Sequence, residues 1–132
     1  MEIVADKNTV LVAAVTSRII SYCKKIGLSE PIASIALLRS KLSEIHLTNL
    51  EASLKGMGSQ WEKIRIDYRD VPARVECNTC GTRFAAHEDW TPCPDCGNPG
   101  AFTVITPYRL KLKEIQTENG IIIKAKRDTV LL

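Results

Sequence analysis

Two copies of one cysteine unit, Cys77-Asn78-Thr79-Cys80-Gly81 and Cys93-Pro94-Asp95-Cys96-Gly97, constrain this chain more than any other feature of its sequence. A Cys-x-x-Cys turn sets two sulfurs on one side of a tight loop, and the glycine after it lets backbone amides face them without a Cβ clash. Two such turns can close a tetrahedron. Four thiolates match zinc at about 2.3 Å and leave no position open for water or substrate, so the expected ion is structural rather than catalytic. The expected ligands are Cys77, Cys80, Cys93 and Cys96. Iron in a rubredoxin-type knuckle is the competing metal, and metal availability and the ribbon-like context favour zinc.

The alternative use of cysteines, disulfide bonding, depends on the redox compartment. The chain starts Met1-Glu2-Ile3, followed by Asp6 and Lys7, without the basic stretch and small-residue cleavage site of a signal peptide. A cytoplasmic protein with reduced thiols is therefore expected, and the fifth cysteine, Cys23, reads as a small buried hydrophobe. The longest apolar stretch, Thr9 to Ile20, is broken by Thr16, Ser17 and Arg18 and falls short of the roughly 20 residues a membrane span needs. At 132 residues and 45% hydrophobic, the chain can build one compact domain with a small appendage. Four thiolates and one zinc reduce its formal charge of +3 to about +1, which is no nucleic-acid footprint.

Apolar residues at Leu11, Val15, Ile19, Tyr22 and Ile26 recur in steps of three or four, predicting a helix over 8–26 with Ser17, Ser21 and Lys24 outward. Asn8 is its expected N-cap and Gly27 its stop. Ile32 to Leu38, after Pro31, reads as a strand, and Arg39 to Ile45 carries it outward. Thr48 and Glu51 have the spacing of a capping box, predicting a short helix to about Lys55. Gly56-Met57-Gly58-Ser59 is a break. Ile64, Ile66 and Tyr68 alternate with Arg65 and Asp67, as on a strand with one buried face. Val71 to Val75 continues extended past Pro72 into the first knuckle. Ala101 to Ile105 and Tyr108 to Ile115 read as strands separated by Pro107, and Asn119-Gly120 is a hairpin signal that folds Ile121 to Lys124 back on Leu112 to Gln116.

The run Val71-Pro72-Ala73-Arg74-Val75-Glu76-Cys77-Asn78-Thr79-Cys80-Gly81, with the strand before it, resembles the hydrogenase-maturation nickel metallochaperones of the HypA/HybF family. The similarity extends through Phe84, Cys93-Pro94-Asp95-Cys96-Gly97 and Tyr108 to Ile115, and upstream through the order of elements and a Leu42-Ser43-Glu44 stretch. It implies an α+β fold: a small two-helix, mixed β-sheet domain over 1–72 and 106–132, with a four-cysteine zinc ribbon inserted over 73–105. The resemblance also implies a nickel site at an N-terminal Met-His-Glu. This chain has Met1-Glu2-Ile3 there, and aligning the first helix through Tyr22 to Gly27 puts the motif near Asp6-Lys7-Asn8, so the usual nickel site is expected to be absent.

The resemblance implies a metallochaperone or maturation accessory for a nickel enzyme such as hydrogenase, working through protein partners such as a maturation factor or metalloenzyme subunits. The alternative is an adaptor or accessory subunit of a larger complex that has lost nickel, its partner surface supplied by Ile121-Ile122-Ile123 and Val130-Leu131-Leu132. These residues could equally form an edge strand covered by their own sheet. A third reading, a nucleic-acid-binding ribbon, has Arg83, Phe84 and Trp90 in its favour and Glu88, Asp89 and Asp95 against it. An enzyme is not expected, because two histidines and a saturated zinc assemble no catalytic set. His87 reads as an exposed loop residue, His46 has no site role, and Trp61 and Trp90 read as packing anchors.

Overall fold

The computed structural model describes residues 7–41, 45–106, 108–125 and 129–132. The expectations for Met1 to Asp6, for Leu42-Ser43-Glu44 and for Pro107 lie outside the described residues. The fold is α+β.

Helix α1 (Lys7–Lys25) buries Val12, Val15, Ile19 and Cys23. The buried stripe is therefore rotated from the expected one: Leu11 and Tyr22 are half-buried and Ile26 is 41% exposed. Thr16 occupies a core-facing position because its hydroxyl bonds to the Val12 carbonyl, at 2.7 Å, and to Ser53 Oγ, at 2.9 Å. At the helix end the Leu28 N–H donates to Cys23 O and the Gly27 N–H to Lys24 O, a Schellman close that needs Gly27 at φ +73°. Asn8 is not the N-cap. It lies inside the helix, and its Oδ1 accepts the backbone N–H of His46 at 2.8 Å.

Strand β1 (Ile32–Ser40) is central in a four-stranded sheet, parallel to β2 (Arg65–Val71) at one edge and antiparallel to β6 (Leu110–Thr117), beyond which lies β7 (Ile122–Lys124). Helix α2 (Leu47–Lys55) buries Leu47, Leu50 and Leu54 against the same core. The capping box does not form: Thr48 lies within the helix, the N-cap is His46 without a side-chain bond, and Glu51 Oε1 instead accepts the Ile66 N–H. A 3-10 turn over Ser59–Trp61 follows the glycine break and buries Trp61 as an anchor. Tyr68, expected on a buried face, is 53% exposed because β2 is an edge strand, and its ring lies under the Arg39 guanidinium.

In β6 the register slips by one residue opposite Ala36/Leu37, a bulge at Lys113. The slip changes the phase of the alternation, so that Leu110, Leu112 and Ile115 all reach the core. The Asn119-Gly120 hairpin forms with Gly120 at φ +89°, and β7 (Ile122–Lys124) pairs with Glu114 to Gln116. Residues 129–132 extend that edge. Leu131 is buried, its N–H donates to Leu110 O, and Arg18 donates to its carbonyl.

Pro72, with no N–H to give a ladder, marks the switch from β2 to a second sheet of order β4-β3-β5. Its strands are β3 (Ala73–Cys77), β4 (Arg83–Ala86) and β5 (Phe102–Val104). The core of this sheet is small: Ala73, Val75, Cys77, Phe84, Ala86 and Cys93, with Phe102 packed edge-on against Phe84 at 6.0 Å.

Candidate metal centre

The two knuckles are built alike by their own backbones. In the first, the Gly81 N–H donates to Cys77 O at 2.9 Å and the Cys77 N–H to Thr82 O at 2.8 Å. The second repeats the pattern, Gly97 to Cys93 O at 2.8 Å and Cys93 to Asn98 O at 3.2 Å. Each turn closes only because its glycine sits in the left-handed region, Gly81 at φ +76° and Gly97 at φ +72°.

These turns bring the sulfurs of Cys77, Cys80, Cys93 and Cys96 within 4.8 Å of one another. The close pairs run across the knuckles, Cys77 to Cys96 at 3.6 Å and Cys80 to Cys93 at 3.5 Å. A tetrahedron of zinc–sulfur bonds of about 2.3 Å has edges of about 3.8 Å, so the cluster is near the size zinc requires. Cys77 and Cys93 are buried, whereas Cys80 and Cys96 face solvent.

The sulfurs differ in how readily they ionise. Cys77 is brought down to about 6, chiefly by the backbone amides of Cys80 and Thr79. Cys80 is lowered by its contacts with Thr82, whose Oγ1 lies 3.3 Å from the sulfur, and with the Thr82 amide. Cys96 receives the lowering influence of the Asn98 amide, but desolvation and the three neighbouring sulfurs outweigh it and push it up to about 12. Sulfurs packed this closely resist carrying four charges together, and a divalent cation among them relieves that repulsion. The donor set therefore fits zinc. Cys23 is far from this chemistry: burial pushes its thiol up to about 11, as befits a core residue.

Side chains that sequence reasoning passed over tie the knuckles together. Thr82 Oγ1 donates to Asp95 Oδ2 at 2.5 Å, and Asn98 Nδ2 donates to Thr79 Oγ1 at 2.8 Å. The available signal was the offset of sixteen residues that superposes the two units, placing Thr79 on Asp95 and Thr82 on Asn98.

The remaining candidates do not gather here. His87 and His46 are exposed. Trp90, expected to pack, is 66% exposed in the loop after β4. Phe84 is buried and offers no platform to a nucleic acid, and Arg83 pairs with Glu76 at 3.3 Å on the surface of the ribbon. Among the described residues no helix is long and apolar enough to cross a membrane.

Comparison with known proteins places these features. The family model described as hydrogenase/urease nickel incorporation, metallochaperone, hypA matches residues 8–117. A hydrogenase maturation factor HypA of Geobacter metallireducens is 26% identical over 107 residues, covering 80% of this chain and 96% of that protein. A second protein of that name, from Cereibacter sphaeroides, is 30% identical over 61 residues, 46% of this chain and 53% of its own length. The solution structure of the nickel metallochaperone HypA from Helicobacter pylori shares the fold at a TM-score of 0.51 and 16% identity, covering 79% of this chain and 94% of that one. The family match ends at Thr117, the last residue of β6, so β7 and residues 129–132 lie beyond it.

Proposed function

Because the chain belongs to the HypA family of nickel-incorporation metallochaperones, we propose that it serves the maturation of a nickel enzyme, such as a hydrogenase, through contacts with protein partners. Cys77, Cys80, Cys93 and Cys96 hold one structural zinc, and the segment over 73–105 forms a ribbon distinct from the domain over 1–72 and 106–132. The separate hydrophobic clusters of the two sheets support that division. The ion supplies cross-linking and charge balance to the ribbon, and it offers no vacant position for catalysis. Nickel is cargo rather than a resident cofactor. The partners are a maturation factor or subunits of the metalloenzyme, met in the cytoplasm, where thiols stay reduced. No catalytic residue is assigned.

The observation that carries the reading is the family match over residues 8–117, with four sulfurs converging inside the matched span. One feature of the sequence favours a second reading, an adaptor that keeps the fold and no longer handles nickel: no histidine occurs in the first 45 residues. Nickel titration of the zinc-loaded protein separates the two. One-to-one binding tighter than about micromolar supports the metallochaperone. Its absence, together with recovery of a stable complex from native cells, supports the adaptor. Of the residues that reading uses as a partner surface, Leu131 is buried in the chain's own core, whereas Ile121, Ile122 and Val130 are exposed.

A further inference from the structure

We infer that Thr79, Thr82, Asp95 and Asn98 are positioning residues for the metal, two reciprocal hydrogen bonds that hold one knuckle's sulfurs at tetrahedral spacing from the other's. The inference rests on the reading of the four cysteines as a zinc site. In each knuckle the third residue accepts and the sixth donates, and each bond crosses to the opposite knuckle: Thr82 to Asp95 at 2.5 Å, Asn98 to Thr79 at 2.8 Å. The pattern is a local two-fold. Neither turn needs these bonds for its own shape, because each is already closed by its backbone through Gly81 or Gly97. What the side chains fix is the placement of one turn relative to the other. Thr82 Oγ1 also lies 3.3 Å from Cys80 Sγ in its own knuckle, so Asn98→Ala, whose bond touches no sulfur, isolates the role across the turns.

Apart from Cys93, which packs into the small core of the ribbon, the second knuckle has few contacts among the described residues that fix it against the first. The first knuckle is joined to the ribbon sheet: Cys77 is the last residue of β3, the Asn78 N–H donates to Ala101 O at 2.9 Å, and the Thr103 hydroxyl donates to Asn78 Oδ1 at 2.8 Å. The second knuckle lies between β4 and β5 and is closed at its base by the Pro92 and Pro99 bridge. Apart from the sulfurs, Thr82–Asp95 and Asn98–Thr79 are the hydrogen bonds that span the two turns among the described residues. They reduce the freedom lost when the second pair of thiolates closes on an ion held by the first, which is the benefit of a preorganised site. Without them the second knuckle is the half that parts, and Cys93 and Cys96 leave the ion first.

The test uses the full chain with zinc bound, in Thr82→Val, Asn98→Ala and the double variant, and follows zinc release to a chromophoric chelator. Replacing an outer partner of a metal ligand lowers affinity by about 10-fold to 100-fold, so each single variant is expected to release zinc about tenfold faster. The two bonds brace the same pair of turns and are coupled, so the double variant is expected to release zinc at least as fast as the faster single variant, without a fixed product of the two effects. Thr82→Ser, which keeps the hydroxyl, and Asp95→Asn, which keeps an acceptor, are expected to stay within about threefold of the parent. In the double variant, alkylation during release is expected to mark Cys93 and Cys96 before Cys77 and Cys80. The cobalt-substituted double variant is expected to show altered visible bands, a readout that general loss of stability would not change. The inference is overturned by a double variant whose release stays within about twofold of the parent with unchanged cobalt bands, or by Thr82→Ser releasing as fast as Thr82→Val. Metal content of the parent is measured first. A parent without zinc overturns the zinc reading itself, whereas a stoichiometric parent with indifferent variants overturns only the role of these four side chains.

Discussion

The two sheets of this molecule are held together by different physics. The four-stranded sheet and its helices enclose one continuous cluster of buried residues, from Val12 on α1 through Ile35 and Leu37 on β1 to Leu112 and Ile115 on β6. The three-stranded sheet encloses six buried residues, two of them cysteines. Each fully buried Ile or Leu contributes roughly 2 kcal/mol, so the first sheet can stabilise itself by burial, while the second has too few such groups to offset the ordering of its chain. On the zinc reading, the sulfurs of the ribbon replace a hydrophobic core rather than decorate one. Pro72 then suffices as a boundary, because within a single residue the strand passes from a region stabilised by burial into one that coordination would stabilise.

Removal of the proposed zinc should separate the two sheets most clearly. Stripping it with a strong chelator under reducing conditions, or making Cys93→Ser, is expected to forfeit on the order of 10 kcal/mol of coordination. In an amide correlation spectrum the signals of Val75, Phe84 and Phe102 should collapse to unfolded positions, and those of Ile35, Leu37 and Leu112 should hold. The converse variant, Leu112→Ala, removes a side chain that is 1% exposed and is expected to cost about 3 kcal/mol. Urea denaturation should show a lower midpoint for the helical signal, with zinc content unchanged. A smaller effect is expected at the knuckle glycines. Gly81→Ala places a Cβ at φ +76° and should cost about 1 kcal/mol, seen as weaker zinc binding in competition with a chelator. Gly56→Ala, at φ −78° and with its nearest neighbour 3.5 Å from the new Cβ, should leave zinc binding unchanged.

The smallest expected effect belongs to Asp70→Asn. Arg39 donates to both carboxylate oxygens of Asp70, at 2.7 and 3.1 Å, and that hydrogen bonding holds the carboxyl below its usual range. A depressed carboxyl contributes stability that is complete above the ordinary aspartate range and is lost as pH falls through the lowered folded value. The pair is partly solvated, so the loss at neutral pH should not exceed about 1 kcal/mol. Thermal melts of parent and variant should converge in acid.

The sequence was most readable where a single residue type has a single physical use. Gly27, Gly81, Gly97 and Gly120 adopt the left-handed conformation, and each marks a stop, a knuckle or a hairpin visible in the sequence. The cysteine spacing foretells the gathering of four sulfurs for the same reason. Readings that depended on tertiary partners went astray. Asn8 and Glu51 had the chemistry of caps, but each found a better partner across the fold, the amides of His46 and Ile66. Tyr68 alternates like a core residue, yet alternation cannot say that β2 is an edge strand. Leu110, Leu112 and Ile115 share a face only through the bulge at Lys113, which a strict period of two cannot express. Trp90, expected as a packing anchor like Trp61, stands in solvent on the loop that carries it. The cross-knuckle bonds are hidden in the sequence because Thr, Asp and Asn have many uses, and only the repeat offset singles them out.

The most direct test of this account is a native mass spectrum of the purified, reduced protein beside that of a variant with Cys77, Cys80, Cys93 and Cys96 all changed to serine. The account predicts one zinc per parent chain, none on the variant, and a ribbon that is unfolded only in the latter. A metal-free parent whose ribbon remains folded would contradict it.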